Sequence, residues 1–278
     1  MKLHKIFKGL APIAALAGAA LVSGCDGVNI QIGDKEGVPL AELDMAGKAP
    51  TELVLASPDQ VIVTEGDTLD IAVSGDDEVV DSLRFSLDDD TLGIHREKNW
   101  KGNGIATVRV TMPSLRAIVL AGSGTVQAAR MRGKAEVTVA GSGSVKVTDM
   151  AAESLDATIA GSGDLEASGT AETLDLTIAG SGEARMAGLT VDRADVSVAG
   201  SGDAVFTSNG KVEANIVGSG DITVNGRANC TVSAMGSGKL NCRTVSDAPE
   251  ATEETDAPAA PEAPDAPEAP AAPDAPAT

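Results

Sequence analysis

The chain is short of aromatic rings, of histidine and of positive charge. Its aromatic residues are Phe7, Phe85, Phe206 and Trp100, and it has no tyrosine. Stacking on bases or sugar faces needs ring surface, so neither a single-strand nucleic-acid platform nor an aromatic sugar cleft can be assembled. Of the two histidines, His4 lies in the extreme N-terminal segment and His95 stands alone in the rest. A Ser-His-Asp triad or a histidine metal site would have to be built around His95. Its context, Gly93-Ile94-His95-Arg96-Glu97, reads as a strand end followed by charges, hence a solvated or edge-strand histidine. Lysine and arginine total 21 against 41 acids, giving a formal charge of −20. A phosphate backbone is repelled by such a chain, which excludes nucleic acid as a partner.

The N-terminus holds the one strongly apolar run. Lys2, Lys5 and Lys8 precede an apolar stretch from Leu10 to Val22, followed by Ser23 and Gly24. That order predicts a secretory signal peptide over residues 1–24, too short and alanine-rich to span a bilayer well. The segment Val22-Ser23-Gly24-Cys25 resembles the lipobox of bacterial lipoproteins. The resemblance implies that Cys25 becomes the acylated first residue and that the membrane is held through it. Several acyl chains on one residue anchor stably, at about 0.8 kcal/mol per buried methylene, whereas one chain alone is marginal. The expected location is the bacterial cell envelope, lipid-anchored and facing the periplasm. Asp26 resembles the inner-membrane retention signal of enterobacterial lipoproteins, a signal other bacteria need not read, so the choice of membrane stays open. Residues 25–39 read as a linker. Without the three signal lysines the net charge becomes −23.

Internal repetition is the strongest signal in the sequence. Gly-Ser-Gly occurs seven times, starting at Gly122, Gly141, Gly161, Gly180, Gly200, Gly218 and Gly236, at intervals of 19, 20, 19, 20, 18 and 18 residues. Apolar and polar residues alternate through the flanks, which predicts strand and not helix. One parity of the fourth repeat reads Leu174, Leu176, Ile178, Gly180, Gly182, Ala184, Met186. A unit this short cannot bury its apolar face alone, so the repeats must stack. The predicted fold is all-β: a parallel β-helix-like solenoid of about seven GSG-containing coils over residues 115–246. The glycines fall on the inward parity at a bend, and the serines point outward. Strands about 4.8 Å apart would raise seven coils by roughly 34 Å.

Residues 40–114 carry less regular strand-like runs, Glu52 to Ala56, Gln60 to Thr64, Thr68 to Ser74, Val79 to Leu87 and Ile105 to Met112, with no helical period. They predict irregular β structure that begins the solenoid and covers its first open edge, within one domain of residues 40–246. From Asp247 the chain turns to Asp-Ala-Pro and Glu-Ala-Pro units with eight prolines, nine acids and no base. Such a segment cannot form a core, so residues 247–278 read as a disordered acidic tail. Its nine charges leave −14 on residues 25–246.

The segment Val110-Thr-Met-Pro-Ser-Leu-Arg-Ala-Ile-Val-Leu-Ala-Gly-Ser-Gly124, followed by GSGD and GSGE repeats, resembles the head GIN domain family of auto-transporter adhesins. The likeness extends over residues 40–243 and implies the solenoid fold and an adhesive role. The chain departs from an auto-transporter in having a lipobox and no C-terminal barrel pattern, which puts surface display in doubt.

Two acidic columns carry the candidate chemistry. Five residues before the second to sixth GSG stand Glu136, Asp156, Asp175, Asp195 and Glu213; directly after the third to sixth come Asp164, Glu183, Asp203 and Asp221. Carboxylates one strand apart form a possible ladder for a cation such as calcium, or else a solvated face that keeps a β-rich protein soluble and apart from its neighbours. No other cofactor is called for. Paired carboxylates also suggest a polysaccharide-active β-helix enzyme, a lyase or hydrolase, but such sites need long loops and a cleft. The preferred reading is a non-enzymatic binding or adhesion scaffold, with a polysaccharide or an envelope protein as partner. Cys230 and Cys242, left as an even pair in an oxidising compartment, fall on the inward parity either side of the last GSG. They read as a disulfide or as two buried thiols in valine-like positions.

Overall fold

The computed structural model describes residues 37–243. The signal peptide, Cys25, most of the 25–39 linker and the 247–278 tail lie outside the described residues.

Fifteen strands form one continuous sheet wound into a parallel solenoid. Five are long and each runs from one GSG to the next: β8 (Thr125–Gly141), β9 (Ser144–Gly161), β10 (Asp164–Gly180), β11 (Glu183–Gly200) and β12 (Asp203–Gly218). Their burial alternates along the chain, as the sequence pattern requires. The C-terminal half of each pairs with its neighbours along one side of the coil, and the N-terminal half along the other. The unequal repeat lengths are absorbed away from the GSG corners. Register shifts sit at Gly133/Lys134, Ala167/Gly169, Met186/Thr190 and Val191/Arg193, so the glycine corners stay aligned.

Those corners need glycine for two reasons. Gly180 has φ +129°, where a side chain is strained. A Cβ on it would also lie 2.3 Å from the Gly161 carbonyl oxygen of the preceding coil. Gly182 is buried, and its Cβ would meet the Gly163 oxygen and Ile159 Cγ2, each at 2.5 Å. Close approach keeps the ladder intact around the bend: Ser181 N–H donates to Gly161 O at 2.8 Å and Glu183 N–H to Gly163 O at 3.1 Å. Ser123, Ser142, Ser162, Ser181, Ser201 and Ser219 are all exposed between their glycines.

The N-terminal strands extend the same stack, in an interleaved order. β1 (Glu52–Ala56) pairs in parallel with β7 (Ala117–Gly122), and β2 (Gln60–Glu65) with β8, so β1 and β2 form the rung beneath the first GSG coil. Beneath that rung lie β5 (Thr91–Arg96) and β6 (Thr107–Met112), although they follow β1 and β2 in the chain. β3 (Asp70–Ser74) and β4 (Leu83–Leu87) then close the end by antiparallel pairing with β6 and β5. Val38, within the stretch read as linker, bridges Phe85 on the outer edge of β4. The strand read from Val79 to Leu87 is half helix: α1 (Asp77–Asp81) takes up Val79 and Val80 and buries Val79. Five residues are too few to show a helical period, and the acids Asp77 and Glu78 favour the positive end of its first turn.

Aliphatic residues fill the interior, including Leu155, Leu174, Leu176, Ile159 and Ile178, with Phe206 fully buried. At the far end, β13 (Ile222–Asn225), β14 (Asn229–Gly236) and β15 (Leu240–Arg243) make the last rungs. Cys230 on β14 and Cys242 on β15 face each other across the last corner, Cα atoms 6.7 Å apart, with their sulfurs within bonding distance.

Candidate functional site: the outer ladders

The first acid column is brought together in register. Glu136 pairs with Asp156, Asp156 with Asp175, Asp175 with Asp195, and Asp195 with Glu213. Two residues on, Thr138, Thr158, Thr177, Ser197 and Asn215 form a second column on the same face. A third column reads Ala121, Ala140, Ala160, Ala179, Ala199, then Val217. Five successive coils thus offer an acid, a hydroxyl or amide, and an apolar group on one face.

Crowding leaves its mark on the acids. Burial, and then the neighbouring carboxylate, pushes the Glu136, Asp156 and Asp175 carboxyls above their ordinary values; for Glu136 the neighbours are Asp156 and Glu52. A raised folded pKa means that the folded chain holds protons the unfolded chain has released. The stabilisation is therefore present below the ordinary carboxylate value of about 4 and is lost as pH rises through the raised values. Asp89 and Glu166 are shifted down instead, chiefly by hydrogen bonds from Lys48 and Lys146, and act in the opposite sense at lower pH. The melting temperature is expected to gain from these acids as pH falls from neutral toward the ordinary carboxylate value of about 4. Asp175→Asn with Asp195→Asn should raise it at pH 7 by about 1–2 °C and flatten that gain, for about 0.5 kcal/mol of repulsion after screening. Thermal melts from about pH 4 to neutral check both.

The second column is a different object. Asp164, Glu183 and Asp203 are in register, but Arg185 reaches Glu183 at 2.8 Å, Asp164 at 3.3 Å and Glu166 at 3.7 Å. Asp203 accepts the Asp221 N–H at 2.7 Å, and Asp221 accepts the Lys239 N–H at 2.9 Å. These acids are spent on an arginine and on the backbone of the last corners, so they do not make a free cation ladder. Among the described residues, no group of three or more His, Cys, Asp or Glu side chains is arranged to hold a metal ion. A shallow depression lined by Val63, Glu65, Met112, Leu115, Arg130 and Arg132 has a volume of about 20 Å³, a water's share of space and no substrate pocket.

His95 is neither at an edge nor fully solvated. β5 lies between β1 and β4, and the ring is half-buried with Nδ1 enclosed and without a protein partner. Burial, aided by the Arg84 charge, lowers its pKa and favours the neutral ring.

Sequence reasoning missed the polar anchor at the base of the stack. Ser57-Pro58-Asp59 takes the place of GSG in the β1–β2 rung, where the Asp59 carbonyl accepts the Thr125 N–H at 2.9 Å. The Asp59 carboxylate is fully buried and pairs with Arg96, whose Nε lies 2.7 Å from it, and it accepts the Ala106 N–H at 2.7 Å. Arg96 also donates to Ser82 Oγ at 2.8 Å and lies 4.2 Å from the Trp100 ring centroid. One ion pair thus ties the end of β5, the start of β6 and the end of α1 to the corner above them.

A parallel β-solenoid whose outer face repeats one acid and one hydroxyl per coil is the class of protein that this geometry defines. The family model described as "Putative auto-transporter adhesin, head GIN domain" matches residues 49–228, and the chain belongs to that family. The fold is shared with a putative adhesin from Bacteroides fragilis, at 21% identity and TM-score 0.65 over 70% of this chain and 93% of that one. It is shared also with a putative lipid binding protein from Parabacteroides distasonis, at 24% identity and TM-score 0.55 over 71% and 94% of the two chains. A putative adhesin from Parabacteroides merdae has 18% identity and TM-score 0.52 over 71% and 93%. No curated protein matches this chain.

Proposed function

We propose that the chain is a non-enzymatic, envelope-anchored binding scaffold, held to a membrane through lipidated Cys25 and engaging its partner with the outer face of the solenoid. The observation that carries this reading is the in-register repetition of acid, hydroxyl and small apolar columns over an interior packed with aliphatics. The same shallow chemistry on five successive coils suits a long polysaccharide or an extended envelope protein better than a small substrate. Carboxylates in these columns stand side by side on a flat face and do not oppose one another across a cleft, which is the arrangement glycoside cleavage needs.

Binding of the Cys25→Ser chain to envelope polysaccharide and protein fractions tests the scaffold. Thr158→Lys, Thr177→Lys and Ser197→Lys should each weaken binding in part, and turnover lost at one acid alone would contradict it. The anchor is tested separately, because Cys25→Ser should move the protein from the membrane pellet to the soluble fraction. Continued sedimentation with membranes would refute lipidation.

Cys230 and Cys242 are proposed to be oxidised in that compartment. Closing a loop of twelve residues stabilises by roughly 3 kcal/mol in the chain-entropy picture. The cost of reduction should fall on the last rungs, as faster hydrogen exchange in β14 and β15 with the mid-solenoid unchanged. Two alkylatable thiols in the secreted protein would exclude the bond.

A further inference from the structure

The two ends of the solenoid differ. At the first end β4 carries Val38 at its edge and Leu40, Leu43 and Met45 pack against the core, while β3, whose outer edge is also unpaired among the described residues, runs antiparallel to the stack and begins with an acid, Asp70. At the last end β14 pairs only with β12, and β15 only with β13, leaving the outer backbone edge of both strands open among the described residues. Val232 and Ala234 occupy the inward positions that Ala214 and Ile216 hold, buried, one coil earlier, yet both are exposed. The small column also changes at this end alone: the alanines of earlier coils give way to Val217 and Met235, 56% and 74% exposed. An apolar surface therefore adjoins an unpaired edge, the combination that templates further strand pairing.

Charge changes with it. Thr231 follows Glu213 in the first acid column, and Lys239 follows Asp221 after the last GSG. Residues 222–246 contain no Asp or Glu and hold Arg227, Lys239 and Arg243, in a body of net charge −14. Two copies repel wherever their acidic faces meet, and the strands of this rung, β14 and β15, themselves bring no carboxylate to the contact.

The chain's own C-terminal segment is a poor cover. Thr244 to Ala248 are the only residues between β15 and the first of eight prolines, fewer than β14 itself, and proline lacks the N–H a ladder needs.

We propose that the open last rung is a self-association surface on which two copies of the chain meet tail to tail, their β14 edges pairing antiparallel in a closed two-fold dimer. A two-fold contact uses the same edge on both copies and consumes it, so the assembly closes at two and does not grow into a fibre. Dimerisation would display two outer faces from one assembly, adding avidity to a repetitive partner.

The test is the mass in solution of the full chain, secreted with Cys25→Ser in every variant so that no acyl group drives association. Sedimentation equilibrium should give twice the mass that mass spectrometry gives for the secreted chain. Val232→Lys and Met235→Glu should each weaken dimerisation at least roughly tenfold, a difference of about 1.4 kcal/mol. At concentrations low enough for the wild type to be monomeric, their melting curves should keep its midpoint, and Thr177→Lys on the outer face should leave the dimer intact. A monomer at all concentrations overturns the proposal. Slow hydrogen exchange of β14 amides in that monomer would assign the edge to residues 244–278, and fast exchange would leave it to a different protein. A dimer that survives both substitutions with its affinity unchanged also overturns it.

Discussion

Gly180→Ala is expected to lower the melting temperature by about 10 °C, from one added methyl group. Two costs combine at this corner. The residue holds φ +129°, a conformation that strains any side chain by about 1–3 kcal/mol. Its Cβ would also stand 2.3 Å from Gly161 O, so the corner could accommodate it only by lifting off the coil below, an overpacking cost of similar size. Roughly 3–5 kcal/mol in total corresponds to about 10 °C at 2–4 °C per kcal/mol for a domain of this size. Ser181→Ala, one residue on and exposed, should stay within about 0.5 kcal/mol of wild type. Thermal unfolding followed by circular dichroism separates the two, and equal, small effects would mean that the coils do not stack through their glycines.

The second large effect is expected at the base of the stack. Asp59→Ala leaves the Arg96 guanidinium buried without its partner and removes the acceptor of the Ala106 N–H. Side-chain exposures of 0% for Asp59 and 8% for Arg96 place this among buried pairs, where removing one partner costs about 3–5 kcal/mol. Arg96→Ala should cost somewhat less, because Asp59 keeps the backbone donor. Replacing both with apolar residues, Asp59→Leu with Arg96→Met, should recover a good part of either loss, since neither charge is then stranded. Urea unfolding of the wild type, Asp59→Leu, Arg96→Met and their combination forms the cycle. A double substitution that costs the sum of the single ones would show that the two residues do not act as a pair.

The solenoid was legible because its signal is local and repeated. Alternation at Leu174, Leu176 and Ile178, then glycines, then Ala184 and Met186, specifies an inner face without knowledge of which strand pairs with which. Even the 18-residue and 20-residue intervals did not mislead, because the bulges at sites such as Ala167/Gly169 take up the difference. The N-terminal part was legible only as strands. Nothing local states that β5 and β6 lie below β1 and β2, since that order rests on pairings such as Glu52 with Thr91. β5 showed only as the strand end at Gly93-Ile94-His95, and α1 is shorter than two turns.

The candidate site divides in the same way. The first acid column followed from spacing and is in register. The second was read from its acids alone, and its neutralisation by Arg185 was overlooked, although Arg185 stands two residues after Glu183 on the same parity. Asp59 and Arg96 are 37 residues apart in sequence, and no periodicity links them.

Removing one whole coil tests the central claim most directly. Deleting residues 164–182 joins Gly163 to Glu183 and leaves a GSG corner followed by the next strand in its own register. Binding to the envelope fractions is measured beside the melting temperature, in the Cys25→Ser background. A stacked scaffold that works through a repeated outer face should still fold, melt within a few degrees of the full chain and lose only part of its binding. Failure to fold, or complete loss of binding from a shortened solenoid that folds, would contradict it.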